Sequence, residues 1–210
     1  PAAIDPVVIR RGDEVFYGDE YIDEYRGHLY GLAIDLGTTT IVLELIDLET
    51  GASVHMSSLE NPQRFGGSDI MNRISYDGQH PHELRRTLVK ALNYEIQNLC
   101  SRYDFMRQEL YEIVVAGNST MRDILFRLDV QGIGQKPYKS QIELEYLEGL
   151  RDSTSLTEIA LRIGLRANPK ARIYSLPLIA SHVGADVAAD LVTIGMDQQS
   201  DSAMLVDVGT

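Results

Sequence analysis

Ten residues, GLAIDLGTTT at 31–40, carry the densest chemistry in the chain. An apolar run ends in Asp35, Gly37 follows, and Thr38, Thr39 and Thr40 supply hydroxyls and backbone N–H groups in a row. A nucleoside triphosphate needs such parts. Small residues and N–H donors must approach its phosphates, and a carboxylate must hold magnesium through water. A single Asp-x-Gly-Thr turn is equally an ordinary hairpin whose threonines favour extended backbone. The pattern returns, however, in AMLVDVGT (203–210), where an apolar run leads into Asp207, Gly209 and Thr210. Two such turns, each on a strand of its own, predict an internally duplicated nucleotide-binding fold. Asp35 and Asp207 are then the magnesium carboxylates.

Two further clusters belong with these turns. In VVAGNSTM (114–121), Gly117, Asn118 and Ser119 precede a helix whose N-terminus can accept an anion. The plainer reading makes Ser119 a helix cap and Gly117 a turn residue. In ASHVGADVAADLVTIGM (180–196), Asp186 stands at a helix start, either as a cap or as a carboxylate orienting a water or hydroxyl at a γ-phosphate. Asp190 lies on the same face, one turn deeper. His182 reads as a structural histidine, and His28, His55, His80 and His82 have no convincing metal-ligand spacing.

The elements that must position these residues follow from patterning. Residues 31–36 and 40–47 read as strands, Glu49-Thr50-Gly51 as a hairpin turn, and 52–59 as a third strand. After a Pro- and Gly-broken loop, Ser68 or Asp69 caps a helix over 69–77, and Pro81 opens a long amphipathic helix to about 104. A strand at 111–117 runs into a helix. Residues 129–155 read as a loop or small excursion, 156–163 as a short helix, 171–176 as a strand, and 184–195 as a helix. The order β-β-β-α-β-α-β-α predicts an α/β, ribonuclease-H-like domain. Its mixed five-stranded sheet has three antiparallel strands and helices on both faces. Residues 1–30 are expected to be a linker with one short hairpin, 31–200 the first lobe, and 201–210 the start of a second.

Composition narrows the function classes. A net charge of −12 argues against nucleic acid as a partner. No apolar run approaches the roughly 18–20 residues that span a bilayer, and the acidic N-terminus is not a signal peptide. The single Cys100 cannot form an internal disulfide or ligate an iron–sulfur cluster by itself. A cytoplasmic setting is expected. The start at Pro1 is expected to reflect a processed or excised piece.

Five stretches occur together and in order: GLAIDLGTTT with LETG, NPQRFGGSDIMNRI, VVAGNSTM, LPLIASHVGADVAAD and LVDVGT. As a set they resemble the ATP-binding domain of the reductive activators of corrinoid proteins, including the activating enzymes of corrinoid-dependent methyltransferases and O-demethylases. That domain belongs to the superfamily of acetate and sugar kinases, Hsp70 and actin, with its actin-like ATPase fold. The resemblance implies ATP and magnesium as ligands and a cobalt(II) corrinoid protein as partner. It also implies an electron from a 2Fe–2S domain not contained in these residues. Asp35, Gly37, Thr38 and Thr39 become the first phosphate motif, and Asp207, Gly209 and Thr210 the start of the second. Asp186 matches the catalytic base of the sugar kinases. A metabolite kinase and a nucleotide-switched scaffold are the alternatives within the superfamily. With only one wall of the cleft present, residues 1–210 alone are expected to bind ATP weakly or not at all. The strand at 203–208, lacking its own lobe, is expected to pack opportunistically, to be disordered, or to pair with a second copy as a homodimer.

Overall fold

Short alternations of apolar and polar residues fill the first thirty positions, and they fold as a sheet. In the computed structural model, which describes residues 7–196 and 204–206, β1 (Val8–Arg11), β2 (Glu14–Tyr17) and β3 (Glu20–Glu24) form an antiparallel meander. Gly12 and Gly18, both at positive φ, make its two tight turns. Val8, Val15 and Ile22 point to one side and bury against Leu29 and Tyr111. The expected single hairpin is therefore three strands, each too brief to stand out by length. The meander is tied to the rest of the chain by Asn168, whose Nδ2 donates to Asp23 Oδ2 at 2.7 Å, and by the Arg172–Glu20 ion pair at 2.8 Å.

The main sheet has six strands. β4 (Tyr30–Leu36), β5 (Thr40–Asp47) and β6 (Ser53–Glu60) form a second antiparallel meander joined by the predicted LETG turn. β7 (Leu110–Gly117) lies parallel to β4 on its other edge. β8 (Leu156–Ile159) and β9 (Arg172–Ser175) complete the order β6-β5-β4-β7-β9-β8, with β9 parallel to β7 and β8 antiparallel at the edge. The expectation of five strands fails at β8. Leu156 and Ile159 have helix-like spacing, but edge pairing with β9 outweighs that local signal, and only the turn after it is helical.

Seven helices are described: α1 (Ile70–Gln79), α2 (Glu83–Tyr103), α3 (Ser119–Leu125), α4 (Gln131–Gly134), α5 (Gln141–Leu147), α6 (Ala160–Ile163) and α7 (Ala185–Thr193). Leu84, Leu88, Leu92, Ile96 and Leu99 form the buried stripe of α2 and share one core with the inward residues of β4, β5 and β7. Asp69 caps α1, accepting from Asn72 N at 2.9 Å. Pro81 is not the first helical residue of α2. His82 takes a left-handed conformation before Glu83, so His80-Pro81-His82 is the corner between two helices. The 129–155 excursion contains α4 and α5, the latter capped by Ser140. Among the described residues no helix is long and apolar enough to cross a membrane. Half of the strand predicted at 203–208 lies outside the described residues, and the other half, residues 204–206, is not in a strand.

Candidate functional site

Three chain segments end at one place: the carboxyl ends of β4 and β7, and the amino end of α7. Their approach is close enough to require glycine. A Cβ on Gly117 would stand 2.8 Å from the Leu36 carbonyl oxygen. One on Gly184 would stand 2.5 Å from Asn118 Cα and the Gly117 carbonyl oxygen, and one on Gly37 would collide with the Thr40 carbonyl. Between these ends lies a cleft of about 540 Å³ whose lining includes Asp35, Gly37, Thr38, Asn118, His182, Asp186 and Asp190. Carboxyl ends of strands are where open α/β sheets gather their ligand sites.

The local structure explains each placement. Asp35 is the next-to-last residue of β4, and Gly37 opens the turn before β5. Asn118, rather than Ser119, is the cap of α3. Its Oδ1 accepts from Met121 N at 3.0 Å while its Nδ2 donates to Thr38 Oγ1 at 3.0 Å, joining the two strand ends. Ser119 is wholly buried, and its hydroxyl donates to the Ser181 carbonyl at 2.5 Å. The same loop residue donates its N–H to Glu143 Oε2 at 2.9 Å. The 177–184 loop is thereby held from both sides, with Ser181 in the left-handed region. Gly184 is the N-cap position of α7, and Asp186 sits in the first turn, accepting from Val187 N at 2.9 Å.

Asp35, Gly37, Thr38, Asn118 and Asp186 are thus brought to one cleft. Thr39 lies on the other side of the turn, lining a smaller recess of about 230 Å³ with Asn61 and Arg73. Thr40 opens β5 opposite Glu60, and Gly117 is packing surface beneath the cleft. Asp207, Gly209 and Thr210 lie outside the described residues.

The lining is acidic. Among the described residues it carries three carboxylates and neither lysine nor arginine. Partial burial, then the charges of Asp186 and Asp190, push the Asp35 carboxyl above the usual carboxylate range. His182 lines the same space, and its Nδ1 finds no hydrogen-bond partner among the described residues.

Sequence reasoning missed the residues behind the turn. Asn61 Nδ2 donates to the Gly37 carbonyl at 2.8 Å, Asn61 N to the Thr39 carbonyl at 2.7 Å, and Arg73 Nη2 to the Thr38 carbonyl at 2.6 Å. All three carbonyls of the turn are held in this way. The only available signal was that Asn61 and Arg73 fall inside the NPQRFGGSDIMNRI stretch.

Comparison with known proteins agrees with this architecture. The corrinoid activation enzyme RamQ of Eubacterium limosum is 30% identical over 185 residues, covering 87% of this chain and 29% of its own length. A solved structure of a reductive activator for a corrinoid, iron–sulfur protein superposes with a TM-score of 0.76 at 28% identity, covering 89% of this chain and 28% of that one. The chain therefore spans under a third of the length of either relative. Residues 30–199 match the family described as the RACo middle region, and the chain belongs to that family.

Proposed function

We propose that this chain is the first lobe of a ribonuclease-H-like ATPase, within an activator that drives ATP-dependent reduction of a cobalt(II) corrinoid protein. The observation that carries the reading is the meeting of Asp35, Gly37, Thr38, Asn118 and Asp186 at one cleft. The relatives' names supply its corrinoid half.

The donor set fits a magnesium nucleotide. Glycine at 37 lets the turn close against the Thr40 carbonyl, and Thr38, fixed by Asn118, offers a hydroxyl at the cleft. Among the described residues no group of three His, Cys, Asp or Glu side chains could hold an ion directly. A magnesium ion here would be held through water by Asp35, and Asp207 is assigned the same role. Asp186 orients the water or hydroxyl that meets the terminal phosphate. ATP supplies the free energy for an uphill electron transfer, and closure of the cleft alters the grip on the corrinoid protein. The residues present do not fit a 2Fe–2S cluster, because Cys100 is the single cysteine and is buried. The electron enters elsewhere in the protein.

The test is cobalt(II)-to-cobalt(I) reduction, followed by absorbance, in the full-length protein with its corrinoid partner. Asp35→Ala and Asp186→Ala should each lower the ATP-dependent rate by about 100-fold or more. Full activity in both variants would overturn the site. Phosphate transfer to a small molecule, without corrinoid stimulation, would replace the reading with a kinase.

A further inference from the structure

The stretch 61–74 forms the back wall of the phosphate turn, and its Arg73 is 1% exposed. The guanidinium donates from Nη2 to the Thr38 carbonyl at 2.6 Å and from Nε to the Gly67 carbonyl at 3.0 Å, with Nη1 against Met121 Sδ. Among the described residues no carboxylate makes an ion pair with it. Burial pulls its pKa down, and the field of Asp69 offsets this only in part. A buried cation bonded only to neutral groups is costly unless something else uses its charge.

The geometry names the user. In a planar trans peptide the carbonyl and the N–H point opposite ways. With the Gly37 and Thr38 carbonyls turned back toward Asn61 and Arg73, the N–H groups of Thr38 and Thr39 face the other side of the turn. A cation bonded to a carbonyl also polarises that peptide and strengthens its N–H as a donor. In front, the cleft lining carries, among the described residues, three carboxylates and no lysine or arginine.

We propose that Arg73 is a positioning residue for the phosphate turn, fixing the Thr38 peptide from behind and supplying positive charge that a phosphate in front of the turn balances. This rests on the nucleotide reading above. It assigns a role to the NPQRFGGSDIMNRI stretch that the cleft residues leave unexplained. The role acts through the backbone, so Arg73 never touches the ligand.

The test measures ATP, ADP and adenosine binding, with magnesium, to the full-length protein and its Arg73→Met, Arg73→Gln and Arg73→Lys variants. Arg73→Met should weaken ATP by about 10- to 100-fold, ADP by less, and adenosine by no more than about twofold. Arg73→Lys, which keeps the charge, should recover a large part of the ATP affinity. If Arg73→Met does not fold, Arg73→Gln must show the same loss graded by phosphate number. Unchanged ATP affinity, or equal loss for ATP and adenosine, makes Arg73 a packing residue and overturns the inference. Wild-type protein that binds no nucleotide removes the nucleotide reading and this inference together. Wild-type binding with a flat Arg73 series removes this inference alone.

Discussion

Two three-stranded antiparallel meanders follow one another in this chain, β1–β3 and β4–β6, and the second leads to the candidate cleft. The first closes a small cluster around Val8, Val15, Ile22, Leu29 and Tyr111. The second places Leu32, Ile34, Leu36, Ile41, Leu43 and Leu45 in a core shared with α2. Local topology is the same in both. What differs is that β4 has a parallel neighbour, paired with β7 from Tyr30↔Leu110 to Leu36↔Gly117. Antiparallel hairpins put neighbouring strand ends at opposite edges, whereas a parallel pair puts two carboxyl ends side by side. That pairing sets Asn118 beside Thr38, and it needs the long crossover through α1 and α2. The site is a product of the non-local pair, and the meander alone is a scaffold.

Breaking the parallel pair should therefore have the largest effect. Gly117→Val forces a side chain toward the Leu36 carbonyl, 2.8 Å from where its Cβ would stand. The expected cost is about 4 kcal/mol or more in denaturant unfolding. Ordinary stability would mean that β4 and β7 can separate without loss. Within the second meander, Leu43→Ala empties a buried site in the main core and should cost about 3 kcal/mol. In the first meander, Val15→Ala removes two methyl groups from a much smaller cluster and should cost about 1.5 kcal/mol. Native-state hydrogen exchange should show β1–β3 opening at lower free energy than β4 and β7. Equal costs and equal protection would merge the two meanders into one cooperative core.

The same contrast explains what could be read in advance. The second meander was legible because its alternation is long and its LETG turn is specific. The meeting of Asp35, Gly37 and Asp186 at one cleft was legible because each stands at an element end. The first meander and β8 are four- and five-residue strands, below the length at which period-2 patterning is distinct from chance. Asn61 and Arg73 were invisible as turn-holders because their partners lie 24 and 35 residues away and are backbone carbonyls, which have no side-chain identity to match. The cap of α3 was misread for a related reason. Asn118 and Ser119 are both good caps, and what distinguishes them is the second bond Asn118 makes across the sheet to Thr38.

The smallest effect comes from two aspartates, one attached to each meander, whose pH dependences should have opposite signs. Burial opposes ionisation of Asp23, in β3 of the first meander, but hydrogen bonds from Arg26 and Asn168 outweigh it and hold its carboxyl below the usual range. Its contribution is present above the unfolded pKa and is lost as pH falls through the lower folded value. For Asp35, at the end of β4, burial and the charges of Asp186 and Asp190 raise the folded value. The folded state then holds more proton than the unfolded state across the window between the two values. Stability therefore declines as pH rises through that window and stays lowered above it. Asp23→Asn should melt below wild type at neutral pH, with the gap closing in acid. Asp35→Asn should melt slightly above wild type at neutral pH, with its gap also closing in acid. Because Asp35 opens onto solvent in the cleft, screening keeps its thermal shift the smaller of the two. Shifts of the same sign in both variants would show that burial and the neighbouring carboxylates together do not raise the Asp35 carboxyl in the folded state.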